Sequence, residues 1–265
     1  MPDINNLTES AVMDFSRIEI VYDHADFLVI NKPAGVSVHK DDQKQGLVGG
    51  LAEFLKLPKL YLVHRLDKMT SGLLILAKTE DANRMLSGLF QQRAVSKYYL
   101  ALSDKKPKKK QGLIKGDMVK GRGGSWMLVK KADNPAITQF FSFSVADCFQ
   151  ENEQSKPAGL RLFVLKPHTG KTHQLRVAMK SLGAPILGDA RYYPKPAEHN
   201  SSASSEARPE IDRGYLHAWR LSFTYQKQSY DLIANPSSGK YFCHEHFDAY
   251  LNSLGHPKYL AWPTL

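Results

Sequence analysis

The densest group of reactive side chains in the sequence lies in the segment His64-Arg65-Leu66-Asp67-Lys68-Met69-Thr70-Ser71-Gly72. It combines an imidazole, a guanidinium, a carboxylate and two hydroxyls between two apolar runs, and loops held by rigid strands often carry catalytic groups. A carboxylate in such a loop can act as a general base or as a nucleophile. The same spacing also fits an Asx turn that Asp67 closes with Thr70 and Ser71. Spacing alone leaves both interpretations open.

A second group of cationic and hydrogen-bonding side chains lies at residues 166–177, where a helix is predicted to begin. It includes Lys171, His173 and Arg176. The amino terminus of a helix can contact phosphate through free backbone N–H groups, and Lys171 would add a positive charge. The alternative is an ordinary capped helix with a charged first turn.

The charge balance favours a polyanionic partner. The chain of 265 residues has 36 Lys and Arg against 26 Asp and Glu, a formal charge of +10. A basic protein of this kind often binds nucleic acid, although the signal is weak by itself. The lysine run at residues 105–110 is more typical of a solvated loop tip.

The cysteines and the hydropathy pattern predict a cytoplasmic protein. Cys148 and Cys243 show no pairing pattern, which fits a reducing compartment. No apolar run approaches the roughly 20 residues that cross a bilayer, and the amino terminus does not resemble a signal peptide, so no membrane association is expected. The segment Cys243-His244-Glu245-His246 looks metal-like, but in a strand or an exposed loop it would not gather four ligands, and we predict no metal site.

Apolar periodicity and turn residues predict an alternation of short strands with a few helices. Thr79 is the expected N-cap of the longest helix. Strands are predicted at residues 18–22, 27–30, 61–63, 72–77, 96–102, 160–165 and 218–225, hairpins at 112–149, and helices at 49–57, 79–92 and 173–181.

This irregular order of elements predicts an α+β fold built on a bent, mainly antiparallel mixed sheet with flanking helices and a central cleft. Residues 1–17 are expected to form a flexible tail, and residues 18–265 one domain. The stretch 194–213, rich in Ser, Ala, Pro and Glu, is expected to be a mobile surface insertion.

The two reactive segments together resemble the signature segments of the RluA-type pseudouridine synthases, in the same order and with a comparable separation. Further matches extend the resemblance from about residue 18 to residue 235. These are Asn31-Lys32-Pro33-Ala34-Gly35 with Val38-His39, Ser96-Lys97-Tyr98-Tyr99-Leu100-Ala101, Pro185-Ile186-Leu187-Gly188-Asp189 and Leu216-His217-Ala218. Their combination is far more specific than any one of them.

The resemblance implies an isomerase that converts uridine in RNA to pseudouridine without a cofactor. Asp67 matches the catalytic aspartate of the family, which acts as a nucleophile at C1′ or as a base at C2′ of the ribose. Both routes need the ionised carboxylate, and Arg176 matches its basic partner, so an Asp67–Arg176 ion pair is expected. Tyr99 matches the tyrosine that stacks on the detached uracil, where its hydroxyl could assist removal of the C5 proton. Its neighbour Tyr98 should point to the opposite face of the strand and pack in the core.

The resemblance also implies contacts with a structured RNA whose target base is turned out of its stack. Arg65 matches the arginine that fills the vacated space, with a surface salt bridge as the alternative. His64, Thr70, Lys171 and His173 are the further substrate-binding candidates. The expected partner is a stem-loop of ribosomal RNA or tRNA, and a monomer without an obligatory protein partner is expected. Only about 17 residues precede the first strand, so the separate RNA-binding domain of many relatives is expected to be missing.

Two other functions fit parts of the sequence. A non-catalytic RNA-binding protein could have kept the fold, but the matches at Asp67, Tyr99 and Arg176 speak against it. A nucleoside- or glycoside-cleaving hydrolase would need a second acid beside Asp67, and no convincing partner carboxylate is evident.

Overall fold

Eleven β-strands join into one sheet in the part of the chain that the structure describes. This computed structural model describes residues 13–38, 46–145, 148, 159–194 and 211–265. The strands are β1 (Glu19–Asp23), β2 (Phe27–Lys32), β3 (Tyr61–Leu62), β4 (Ser71–Ala77), β5 (Ser96–Ser103), β6 (Gln111–Lys120), β7 (Trp126–Val129), β8 (Ala136–Ser144), β9 (Arg161–Pro167), β10 (Leu216–Tyr225) and β11 (Gln228–Ile233).

The sheet has the strand order β1-β2-β4-β10-β5-β9-β8-β6-β7, with β3 beside β4 and β11 beside β10. The β4–β10 pair is parallel, and the other pairs are antiparallel. Four α-helices accompany the sheet within the described ranges: α1 (Leu47–Phe54), α2 (Glu80–Gln91), α3 (Gln174–Ser181) and α4 (Phe247–Ser253). The predicted α+β class with a mainly antiparallel mixed sheet is confirmed.

The neighbouring strands β2 and β4 form the most deeply buried part of the sheet. Every residue of both strands is buried. Leu74 and Leu76 of β4 belong to one core cluster, whereas Leu73 and Ile75 belong to a second cluster with α2. Because successive side chains of a strand point to opposite faces, a continuous apolar run fits a strand that is covered on both sides.

A glycine allows β4 and β10 to approach closely where β4 begins. Gly72 has φ +105°, and a Cβ atom built there would lie 2.2 Å from the carbonyl oxygen of Ala218. A larger residue would meet backbone and would also adopt an unfavourable conformation. The close approach anchors the start of β4 directly after the loop that carries Asp67.

Helix α2 begins and ends where its sequence indicates, but an arginine occupies the position after its carboxyl end where glycine is usual. The predicted N-cap is confirmed, since Thr79 Oγ1 accepts a hydrogen bond from the N–H of Ala82 at 3.2 Å. At the other end Arg93 has φ +59°, and the N–H of Ala94 donates to the carbonyl of Leu89. Glycine is the usual residue at this left-handed position of a helix end.

The predicted strands and helices are present within one or two residues of their expected bounds in most cases. Gly123 and Gly124, both with positive φ, form a tight turn between β6 and β7, as a hairpin requires. Strand β11 and helix α4 were not predicted. In the segment expected to be a tail, residues 15–17 form a 3-10 turn whose Phe15 ring stacks on Phe54 of α1. Four parts of these predictions lie outside the described residues. They are residues 1–12 of the tail, His39, residues 146, 147 and 149 at the end of the predicted hairpins, and residues 195–210 of the insertion.

Candidate active site

Asp67 lies on the loop between β3 and β4, and the backbone rather than its carboxylate closes the turn. The N–H of Thr70 donates to the carbonyl oxygen of Asp67 at 2.9 Å. The hydroxyl of Ser71 bonds to Nδ1 of His217 at 2.7 Å instead of to Asp67. Leu66 is buried and fixes the loop to the core. The half-buried carboxylate of Asp67 is therefore left to interact across the cleft.

The loop of Asp67 is also tied to the segment that follows β2. Lys32 is completely buried at the end of β2, and its Nζ donates to the carbonyl oxygens of Pro33 and Val36, both at 2.8 Å. The N–H of Gly35 donates to the carbonyl oxygen of Lys68 at 2.8 Å. Burial lowers the pKa of Lys32 to about 7, as does the charge of Arg213, while the charge of Asp67 acts in the opposite direction.

Helix α3 brings Arg176 to Asp67, and the expected ion pair is present. Nη1 of Arg176 lies 3.2 Å from Oδ2 of Asp67. The guanidinium also binds Asp189, with Nε 2.7 Å from Oδ2 and Nη2 2.8 Å from Oδ1. Such a two-nitrogen pair fixes the guanidinium plane as well as its position. This role of Asp189 was not predicted from the sequence, although the residue lies in one of the matched segments.

The three side chains form one chain of interactions, Asp189–Arg176–Asp67, which runs from the buried Asp189 to the half-buried Asp67. Burial alone would lower the pKa of Arg176, but the hydrogen bonds and charges of Asp189 and Asp67 outweigh it and raise that pKa. Burial alone would raise the pKa of Asp189, but Arg176 and two backbone N–H groups outweigh it and lower that pKa. Arg176 and Asp189 therefore both keep their charges, and Arg176 presents a positive charge to the carboxylate of Asp67.

Tyr99 on β5 lines the same cleft as Asp67 and Arg176. Burial raises the pKa of the Tyr99 hydroxyl, and the charge of Asp67 raises it further. The phenol therefore stays protonated, so it can take up a proton only by passing its own proton to a base. Tyr98 does not line the cleft; its ring is buried and lies 6.0 Å from that of Trp262, as the alternation of a strand requires.

Two clefts meet at the Asp67–Arg176 pair. One has a volume of about 770 Å³ and includes Tyr99, and the other has a volume of about 820 Å³. Arg65, Asp67, His173 and Arg176 line both. Arg65 is exposed where the clefts meet, and within the described ranges it forms no ion pair. The surface salt bridge that was the alternative role for Arg65 is therefore not supported.

The other substrate-binding candidates all line the Tyr99 cleft, but protein contacts occupy several of their polar atoms. His64 stacks on Phe90 at 4.3 Å, and its Nε2 accepts the N–H of Ile75. Burial lowers the pKa of His64 to about 3, with a further contribution from the charge of Lys97. Thr70 is buried, so its side chain offers little surface to a substrate.

The segment before α3 is organised by a buried glutamine rather than by open N–H groups. Oε1 of Gln174 accepts the N–H of Lys171 at 3.0 Å and the hydroxyl of Thr169 at 2.7 Å. Nζ of Lys171 donates to the carbonyl oxygen of Asn134 at 2.6 Å. His173 has φ +57° at the N-cap of α3, and its Nδ1 bonds to the hydroxyl of Tyr192 at 2.9 Å. A phosphate contact by Lys171 would thus have to compete with Asn134.

The described residues offer neither a metal-binding cluster nor a membrane-spanning helix. Among the residues that the structure describes, no group of three or more His, Cys, Asp or Glu side chains is placed to hold a metal ion. No helix in the described part is long and apolar enough to cross a membrane. Cys243 is exposed and Cys148 is buried, and neither is in a disulfide.

Comparison with known sequences identifies relatives over most of the chain. Residues 26–181 match the family model described as RNA pseudouridylate synthase. A Haemophilus influenzae protein named "Uncharacterized RNA pseudouridine synthase" is 51% identical over 226 residues, 85% of this chain and 91% of that protein. The ribosomal large subunit pseudouridine synthase C of Vibrio vulnificus is 31% identical over 226 residues, 83% of this chain and 66% of that protein.

Solved structures with the same fold carry related names. Human RNA pseudouridylate synthase domain containing 4 is 28% identical with a TM-score of 0.64, covering 86% of this chain and 91% of that one. Human RNA pseudouridylate synthase domain containing 1 is 26% identical with a TM-score of 0.65, covering 85% and 86%. With the matched family model and the close relative, these findings show that the chain belongs to the RluA-type RNA pseudouridine synthase family, whose members are isomerases.

Proposed function

We propose that this chain converts uridine to pseudouridine in ribosomal RNA, as a monomer in the cytoplasm. The observation that carries the proposal is the Asp189–Arg176–Asp67 chain, which presents one carboxylate paired with an arginine to a cleft with Tyr99. Ribosomal RNA is favoured over tRNA because relatives at about 31% identity are named ribosomal large subunit pseudouridine synthases C and D. A tRNA stem-loop is the second candidate substrate.

The reaction breaks the N1–C1′ bond of uridine and forms a C5–C1′ bond. Asp67 can attack C1′ directly or remove the proton from C2′, and either step requires its carboxylate to be ionised. Arg176 supplies the positive charge that stabilises this form, and Asp189 holds Arg176 in place. The neutral phenol of Tyr99 offers its ring to the detached base, and its hydroxyl can relay the C5 proton only towards a base such as Asp67.

A stacked uridine cannot reach Asp67, so the target nucleotide must turn out of the RNA helix, at a cost of a few kcal/mol. Arg65 is exposed where the two clefts meet, next to Asp67 in the chain. We propose that the Arg65 side chain fills the space in the RNA helix that the target base leaves.

A hydrolase is disfavoured because Asp189, the carboxylate that shares Arg176 with Asp67, is fully buried and bound through both oxygens.

The test uses large-subunit ribosomal RNA and tRNA transcribed in vitro, so that both begin without pseudouridine. The wild type should form pseudouridine at a defined position of the ribosomal RNA and release no uracil. Asp67→Asn should form none while binding the RNA with wild-type affinity. Modification of tRNA alone would reassign the substrate, free uracil would indicate a hydrolase, and binding without any product would indicate a non-catalytic RNA-binding protein.

A further inference from the structure

One wall of the Tyr99 cleft carries two cations that the reaction does not use. Lys97 on β5 and Arg93 after α2 both line this cleft, together with Phe90 and Gln91. Nζ of Lys97 lies 5.7 Å from the centre of the Phe90 ring, which in turn stacks on His64. This aromatic pair holds the long Lys97 side chain along the wall of the cleft.

Neither cation has an acidic partner within the described parts of the chain. The ion pairs nearest in sequence join Arg84 to Asp81 and Lys105 to Asp104, and neither involves the cleft. Burial lowers the pKa of Lys97, and the charge of Arg93 lowers it further, with no acidic group acting in the opposite direction. Two positive charges beside each other, one of them partly desolvated, favour the binding of an anion between them.

The backbone at Arg93 adds an independent observation. Arg93 has φ +59° at the end of α2, a conformation that costs a non-glycine residue free energy. Arginine at this position therefore makes the folded protein less stable than glycine would. Strain of this kind is often retained where the side chain has a function.

The strand geometry sets the distance from this pair to the reacting base. Lys97 and Tyr99 are two residues apart on β5 and line the same cleft, whereas Tyr98 between them does not. Residues two apart on a strand are separated by roughly 7 Å. An anion held by Lys97 therefore lies beside the nucleotide whose base contacts Tyr99, rather than on that base.

We infer that Lys97 and Arg93 form a subsite for a backbone phosphate of the nucleotide next to the target uridine. The inference rests on the proposed function, because it takes the ligand of the cleft to be an RNA chain. Backbone phosphates position an RNA without specifying its sequence. The subsite would thus hold the strand while the target nucleotide turns out towards Asp67.

The first test removes the charge of Lys97 and keeps its stem. Lys97→Met should raise KM for transcribed large-subunit ribosomal RNA about tenfold with kcat within twofold. The slope of log affinity against log salt concentration should fall by about one. Lys59→Met is the matched control, since Nζ of Lys59 lies 4.4 Å from the centre of the Tyr61 ring outside the cleft. The control should leave all three values unchanged.

The second test separates phosphate binding from a structural role. Arg93→Gly removes the charge and suits the left-handed backbone, so it should raise the melting temperature by about 2–4 °C. The same variant should weaken RNA binding and lower the salt slope. A residue with only a structural role could not improve stability and impair binding together.

The outcomes distinguish a failure of the phosphate subsite from a failure of the proposed function. If the wild type forms pseudouridine but both variants keep its KM and salt slope, the phosphate subsite is wrong and the proposed function stands. If Lys97→Met lowers kcat and leaves KM unchanged, Lys97 supports Tyr99 instead, and the subsite is again wrong. If the wild type forms no pseudouridine in any RNA, the proposed function fails and the assignment to a target-flanking phosphate fails with it.

Discussion

Arg176 binds Asp189 more closely than it binds Asp67. Two of its nitrogens lie 2.7 and 2.8 Å from Asp189, and a third lies 3.2 Å from Asp67. Asp189 is completely buried, whereas the Asp67 side chain is 27% exposed. Asp189 therefore positions the arginine, and the arginine holds the Asp67 carboxylate without enclosing it.

Loss of this buried anchor should destabilise the protein severely. Asp189→Asn should lower the free energy of unfolding by about 3–5 kcal/mol, because Arg176 loses most of its compensation. Asp231→Asn is the matched control, since Asp231 binds Nε and Nη2 of Arg220 at 2.8 and 2.9 Å on the surface. The control should cost about 1 kcal/mol or less. Urea unfolding measures both, and equal losses would contradict the anchoring role.

The close approach of β4 and β10 should make Gly72 intolerant of a side chain. Gly72→Ala should cost roughly 2–5 kcal/mol, since a Cβ atom there meets the Ala218 backbone at positive φ. Gly88→Ala should instead stabilise the protein by about 0.5–1 kcal/mol, because Gly88 lies inside α2 and an added Cβ would meet nothing within 4 Å beyond the helix's own backbone and the two neighbouring residues. Thermal or urea unfolding of the two variants compares them. A tolerated Gly72→Ala would show that the strands can separate.

Buried neutral histidines should make the fold acid-sensitive. Burial lowers the pKa of His217 to about 3, and its ring bonds to Ser71 and to the carbonyl of Ala234. Because the unfolded chain takes up the proton first, stability should be complete above pH 6.5 and fall as the pH drops towards 3. The expected slope is about 1.4 kcal/mol per pH unit for each such histidine.

His217→Gln tests the assignment through the slope, since its absolute stability will also change. The free energy of unfolding, measured between pH 7 and pH 4, should depend less on pH than in the wild type. His246→Gln replaces an exposed histidine and serves as the control. An unchanged slope in His217→Gln would mean that other groups cause the acid sensitivity.

Tyr192 should support turnover without contacting substrate. Its hydroxyl accepts the N–H of Trp126 and bonds to His173, both at 2.9 Å, and its ring centre lies 5.0 Å from the guanidinium carbon of Arg176. Tyr192→Phe should lower kcat about tenfold with little change in KM, because His173, which lines the clefts with Asp67 and Arg176, would lose the hydrogen bond that fixes its ring.

Tyr193→Phe is the matched control for Tyr192→Phe. The Tyr193 hydroxyl bonds to Asp104, and Tyr193 does not line either cleft. It should keep wild-type kcat. A rise in KM alone for Tyr192→Phe would assign that residue to RNA binding instead of to positioning.

Much of the fold could be predicted because local patterns specify it. The buried runs of β2 and β4 and the Thr79 cap of α2 depend on residues that are close in sequence. Strand β11 and helix α4 were missed because β11 is mainly exposed and α4 buries only Phe247 and Leu251. Their apolar patterns are therefore weak.

The sequence by itself determined the family, the α+β class and the candidate site residues Asp67, Tyr99 and Arg176, because these lie in recognisable segments of the chain. Only the tertiary structure decided that Asp189 anchors Arg176, that His64 stacks on Phe90 and that Lys97 and Arg93 line the cleft of Tyr99. These relationships join residues from different elements, and the strand order and the packing of the helices set their distances. Local sequence patterns carry no information on such distances.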